Sequence, residues 1–176
     1  RRLTITHNIA LSRRLQWLLV FRSLVGGVLL LIGFINQFSE TSTSNLVHLF
    51  YGVSLGTFLI VFILATLLRL GYAPQILSTI HLTTTLLAAW IIVDGTGGID
   101  SPFSFLYLLV VLDASIIGSL KLALLIASLS FCLFTSHIIY QHYRFWGPEK
   151  SSFSLREIGT PILSHLFGVY LLAILA

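Results

Sequence analysis

Two ionisable side chains lie where apolar runs would exclude them: Asp113 within LLVVLDASIIG and His81 within STIHLTTTLL. An Asp at the centre of a spanning helix costs about 2.5–3.5 kcal/mol on insertion scales, so such a group needs a partner or a function. Asp113 comes eight residues before Lys121, and His81 seven residues after Pro74. At the helical rise these offsets correspond to depths of about 12 Å and about 10 Å from one membrane face. The short connection between the two segments makes them antiparallel neighbours, so the spacing predicts an interior hydrogen-bonded or ionic pair of His81 and Asp113. The alternative is a neutral Asp113 bonded to a Ser or Thr. A double-mutant cycle without coupling between the two positions would exclude the pair.

A second constellation is DGTGGIDSPF, Asp94 to Phe103, a polar interruption between two strongly apolar runs. Gly95, Gly97 and Gly98 can take positive φ at no steric cost. Asp100 or Ser101 can cap the following helix, Pro102 suits its first turn, and Phe103 opens its apolar face. The stretch is thus explained as a reversal and a capped helix start. It also has the chemistry of a ligand loop, because glycine backbone N–H groups beside a helix amino terminus attract electronegative atoms. The carbonyl oxygen of a lipophilic ligand would suit them, with Phe103, Phe105 and Tyr107 as flat apolar surface.

The remaining candidates are sparse. His137 and His165 show no HExxH-like spacing and there is no Cys cluster, so no metal site is predicted. A haem held between these two histidines is the alternative, and the colour of the purified protein decides it. No residues combine a nucleophile with a base and an orienting acid, no phosphate loop is present, and there are no paired carboxylates. This chain is therefore expected to catalyse nothing itself. The single Cys132 lies within an apolar segment and reads as a small core residue.

The elements that must carry these residues follow from composition. The chain is 56% hydrophobic and 9% charged, with a mean hydropathy of +0.97, against a globular norm of about 25% charged. A membrane protein is indicated. A hydrocarbon core of about 30 Å needs roughly 20 apolar residues per helix, and that ruler predicts an all-α bundle of six transmembrane helices. They fall at about 17–37, 47–68, 75–93, 102–119, 120–140 and 158–176, after a basic lead-in over 1–16, all in a single domain of residues 1–176. The first segment is too long for a removable signal peptide and lacks a small-residue cleavage site.

Of the basic residues behind the net charge of +4, most lie in alternate connections, while Arg144, Lys150 and Arg156 lie in the opposite connection QHYRFWGPEKSSFSLRE, accompanied by Glu149 and Glu157. Arg1, Arg2, Arg13, Arg14 and Arg22 lie before or just inside the first segment, Arg69 in LRLGYAP and Lys121 in GSLK. The positive-inside rule places these and both chain ends in the cytoplasm. Arg22 is expected to snorkel to the interface. His48, Trp17, Trp146, Tyr140 and Tyr143 read as interfacial residues. There is no basic, aromatic-studded soluble face, so nucleic acid is not expected as a partner. Gly52 and Gly56 form a GxxxG, and Ala123 and Ala127 share the spacing that lets helices approach closely. The chain has no Met and stops inside the apolar run GVYLLAILA; a continuation past Ala176 is expected.

TGGIDSPFSFLYLLVVLDASIIG resembles the loop and following helix of six-span bacterial sensor histidine kinases. RegB/PrrB-type kinases carry a GGLxNPF form associated with quinone sensing, and PilS-type kinases of type IV pilus regulation have a similar six-helix region. Gly97, Gly98, Ile99, Asp100, Ser101, Pro102 and Phe103 match the Pro-Phe ending of the first group, with Ser101 where that group has Asn. The run after Phe103, the start RRLQWLLVFR and the loop HYRFWGP are closer to the PilS side.

The resemblance implies a sensor region in the bacterial inner membrane, dimeric at full length. Its signal would be a quinone or a small membrane protein such as a pilin. The implied sensing residues are Gly97, Gly98, Asp100, Ser101, Pro102 and Phe103. Kinase domains using ATP and Mg, and meeting a cognate response regulator, would follow the last helix; this chain itself needs no cofactor. The rival is a transporter or transporter subunit, which predicts broken helices, paired repeats and several buried charges near the midplane.

Overall fold

The computed structural model describes the backbone of residues 2–38, 44–98, 101–118, 120–146 and 155–175, and the side chains of these except 2–10, 141–146 and 155–158. The described residues form six helices and no strand: α1 (Arg2–Gln37), α2 (Ser44–Arg69), α3 (Pro74–Gly95), α4 (Leu106–Ile117), α5 (Leu120–Trp146) and α6 (Leu155–Leu175). Four contain stretches long and apolar enough to cross a membrane, Leu11–Gln37, Ser44–Arg69, Pro74–Gly95 and Leu120–Tyr140. Leu106–Ile117 and Gly159–Leu175 are shorter apolar helices.

α2 and α6 start three residues before the hydropathy ruler places them, and α1 and α4 depart further. α1 begins at Arg2, because RLTITHNIALSRRLQ holds no Gly or Pro to stop helix propagation into the polar lead-in. The regular part of α4 begins at Leu106 rather than Pro102. Residues 102–105 instead form tighter turns, with Ser104 N–H donating to Ser101 O, Leu106 N–H to Phe103 O and Tyr107 N–H to Ser104 O.

Contacts divide the chain into two compact units, residues 1–88 and 89–176. In the first, α1 and α2 pack along an antiparallel seam. A Cβ built on Gly26 would meet Thr57 Cγ2 at 3.2 Å, and one on Gly33 would meet Phe50 Cβ at 3.0 Å. A seven-residue step on α1 thus answers a seven-residue step back on α2. The buried residues Phe50, Ser54, Thr57 and Leu64 form the matching stripe on α2. Gly52 and Gly56 stand outside it, for a Cβ on either would meet nothing within 4 Å.

α2 ends in a Schellman motif. Gly71, at φ +83°, donates to Leu68 O at 3.2 Å, and Tyr72 donates to Leu67 O at 3.2 Å. Pro74 then opens α3, where its missing N–H has no intrahelical partner to lose.

In the second unit α4, α5 and α6 all pack against one another. α4 is the most enclosed, burying Leu106, Tyr107, Val110, Val111, Asp113, Ala114 and Ile117. Ala123 and Ala127 are 1% and 0% exposed, so the small face of α5 lies within the packed interior. Ser128 Oγ on α5 meets Tyr170 Oη on α6 at 2.7 Å. At the α4–α5 junction a Cβ on Gly118 would lie 2.6 Å from Leu122 Cδ2 and 3.2 Å from Leu122 Cβ, so a side chain there would have to displace Leu122. Outward residues such as Leu55, Phe62 and Ile174 are 65–73% exposed, as a lipid-facing surface requires. Lipid tails are as apolar as these side chains, so association rests on close packing and interhelical hydrogen bonds.

Candidate functional site

The loop that joins α3 to α4 is organised by Ser101, which is 4% exposed. Gly97 and Gly98 adopt φ of +113° and +64°, conformations that side-chain-bearing residues rarely reach. These reverse the chain so that Ser101 N–H donates to Gly98 O at 3.1 Å. Phe103 N–H donates to Ser101 Oγ at 3.1 Å. Ser101 Oγ also bonds Thr96 Oγ1, and Thr96 Oγ1 lies 2.6 Å from Ile92 O. Because the Thr96 proton goes to that carbonyl, Ser101 donates to Thr96. The result is a one-way chain from Phe103 N–H through two hydroxyls to α3. Ser104 Oγ closes the far side on Ser101 O at 2.7 Å.

Pro102 is exposed and Phe103 half-buried, with the Phe103 ring 6.5 Å from that of Phe105. Asp100, a candidate for both cap and sensing roles, lies outside the described residues, as does Ile99. The loop brings Gly97, Gly98, Ser101, Pro102 and Phe103 together, and Ser101 Oγ holds the turn at Phe103. The cap expected of Asp100 or Ser101 is corrected here, because α4 itself starts behind Phe105, which makes no side-chain cap hydrogen bond.

Sequence reasoning missed a partner for this loop. Asp94, at the end of α3, sets its Oδ1 3.2 Å from His137 Nδ1 on α5. His137 is buried, and its Nε2 has no hydrogen-bond partner among the described residues. The available signal was depth: both residues sit toward the same ends of their segments. His165, the other half of the haem alternative, lies in an aromatic cluster. Its ring stacks on Phe134 at 4.0 Å and 23°, and meets Tyr107 edge-on at 5.5 Å and 84°. Among the described residues no group of three His, Cys, Asp or Glu could hold a metal ion.

In the first unit the polar centre is Arg22. The expectation of snorkelling is corrected here: α1 starts so early that Arg22 falls near the middle of the Leu11–Gln37 span, and the side chain is 4% exposed. Its Nη1 donates to His81 O at 2.9 Å, to Thr84 Oγ1 at 3.2 Å and to Thr85 Oγ1. The same carbonyl accepts from Thr84 Oγ1 at 2.9 Å and from Thr85 Oγ1 at 2.7 Å. Three consecutive threonines one turn past His81 were the overlooked signal. His81 is 0% exposed and belongs to this unit; Asp113, 5% exposed, belongs to the other.

Buried polar centres on long apolar helices define a membrane-embedded, multi-pass helical domain. Within that class the chain belongs to the PilS-like transmembrane domain family, a six-transmembrane family whose model matches residues 6–176. No curated protein and no solved structure matches it.

Proposed function

We propose that this chain is the signal-receiving and anchoring membrane region of a two-component sensor histidine kinase. The observation that carries the proposal is the family match over residues 6–176, which includes the Gly97–Phe103 loop. In this reading the domain sits in a bacterial inner membrane with its amino terminus in the cytoplasm and works as a homodimer. A membrane signal biases the helix packing, and α6 transmits the change to cytoplasmic domains that use ATP and Mg and pass phosphate to a response regulator. Regulation of type IV pilus genes is the corresponding output. The signal is a pilin-like membrane protein, or a quinone at Gly97, Gly98 and Phe103. Either works only by binding two helix packings with different affinity.

The test is ATP-dependent self-phosphorylation of the full-length gene product in membrane vesicles, with and without added quinone or pilin. A labelled histidine supports the kinase. A signal-dependent rate lost in Gly98→Leu or Phe103→Ala supports the loop as sensor. An unlabelled product overturns the reading.

The transporter reading gains from one observation, the mid-span burial of Arg22, which adds a third ionisable group to His81 and Asp113. Substrate uptake by vesicles carrying this chain, lost in Arg22→Ala, would favour it.

A further inference from the structure

The second unit holds an open groove of about 360 Å³ between α4, α5 and α6. That volume lies in the range of small-molecule sites, roughly 300–1,000 Å³. Phe105, 50% exposed, supplies a flat apolar wall, and Leu108 and Gly168 line the groove where α4 meets α6. A Cβ on Gly168 would meet Leu108 Cδ2 at an ordinary contact distance of 3.5 Å, so only a side chain larger than Ala would fill this part of the groove.

The polar groups in the wall are Ser104, Ser164 and His165. Both serine protons are already committed, Ser104 Oγ to Ser101 O at 2.7 Å and Ser164 Oγ to Pro161 O at 3.0 Å. Each hydroxyl oxygen therefore faces a ligand as an acceptor. The His165 Nε2 is enclosed and out of reach of the groove. The two serine oxygens are therefore the acceptors the wall offers, and an incoming molecule meets them by bringing a donor.

We infer that this groove binds a flat, lipid-soluble ring that carries a hydroxyl group, the ring against Phe105 and the hydroxyl donating to Ser104 or Ser164. The site is separate from the Gly97–Phe103 backbone and has the opposite preference, for a donor rather than a carbonyl acceptor. It deepens the sensing reading by naming a ligand class, yet binding would hold whether or not a kinase follows.

The test is equilibrium binding of radiolabelled 1-naphthol to this chain in lipid nanodiscs, with empty nanodiscs as the partition control. Saturable one-to-one binding above the control is expected. 1-Methoxynaphthalene, which has the ring without the donor, should bind roughly tenfold more weakly, the scale of one hydrogen bond. Gly168→Leu should abolish binding. Ser164→Phe, at an exposed position that leaves the packed faces untouched, should abolish it too, so the result survives if the first variant fails to fold. No saturable excess over empty discs, equal affinity for the methyl ether, or undiminished binding in Ser164→Phe would overturn the proposal. So would loss of binding in Phe103→Ala with Ser164→Phe unaffected, which would move the ring to the loop. Self-phosphorylation is scored separately, so failure of the kinase reading leaves these outcomes readable.

Discussion

Arg22 on α1 holds the backbone carbonyl of His81 on α3 at 2.9 Å, near the middle of the Leu11–Gln37 span. Charged hydrogen bonds of this kind contribute about 1.5–3 kcal/mol. Arg22→Ala is therefore expected to destabilise the first unit by that order, and Thr85→Val by about 0.6 kcal/mol, the average for interhelical polar pairs in membranes. Thermal unfolding of the purified chain in one detergent measures both, and an unchanged Arg22→Ala midpoint refutes the assignment.

The α1–α2 seam separates two glycine classes. Gly33→Leu must push Phe50 away from a contact already at 3.0 Å and should cost about 1–3 kcal/mol, the usual range for overpacking. Gly56→Ala meets nothing within 4 Å and should be neutral or slightly stabilising. Equal effects of the two in a denaturation series would contradict the seam.

Ser101→Ala removes the acceptor for Phe103 N–H and should cost about 0.5–1.5 kcal/mol, the net contribution of one hydrogen bond. Ser101→Asn keeps a side-chain oxygen and should restore most of it. Hydrogen exchange at Phe103 and Ser104 reads the local effect: faster in Ala, near normal in Asn.

Asp94 and His137 should couple in a double-mutant cycle. Asp94 is 51% exposed, so screening holds the coupling to about 0.2–1 kcal/mol, the range for exposed pairs. High salt should reduce it further. A cycle that closes to zero at low salt shows the contact contributes nothing.

Hydropathy makes the segment count legible, because the bilayer fixes a minimum length for any apolar helix. The turn at Ser101 is legible because few residue types accept a backbone N–H just ahead of a proline, whereas the start of α4 at Leu106, behind Phe105 with no side-chain cap, was not. Arg22 was misplaced because a length ruler clips a helix at its apolar edge, whereas α1 continues to Arg2 wherever nothing breaks it. The Asp94–His137 contact and the aromatic surroundings of His165 depend on how α5 and α6 rotate about their axes, and an all-round apolar helix has no amphipathic stripe to show that.

The brevity of α4 has a consequence for depth. Twelve residues rise about 18 Å, some 12 Å less than a hydrocarbon core of about 30 Å. The turns at 102–105 make up part of the difference, so this part of the chain has irregular backbone where a longer helix would bond its own. In hydrocarbon an unpaired backbone group costs several kcal/mol. The relay from Phe103 through Ser101 and Thr96 to Ile92 does for that turn what water does elsewhere: an irregular stretch of chain carries its own solvation.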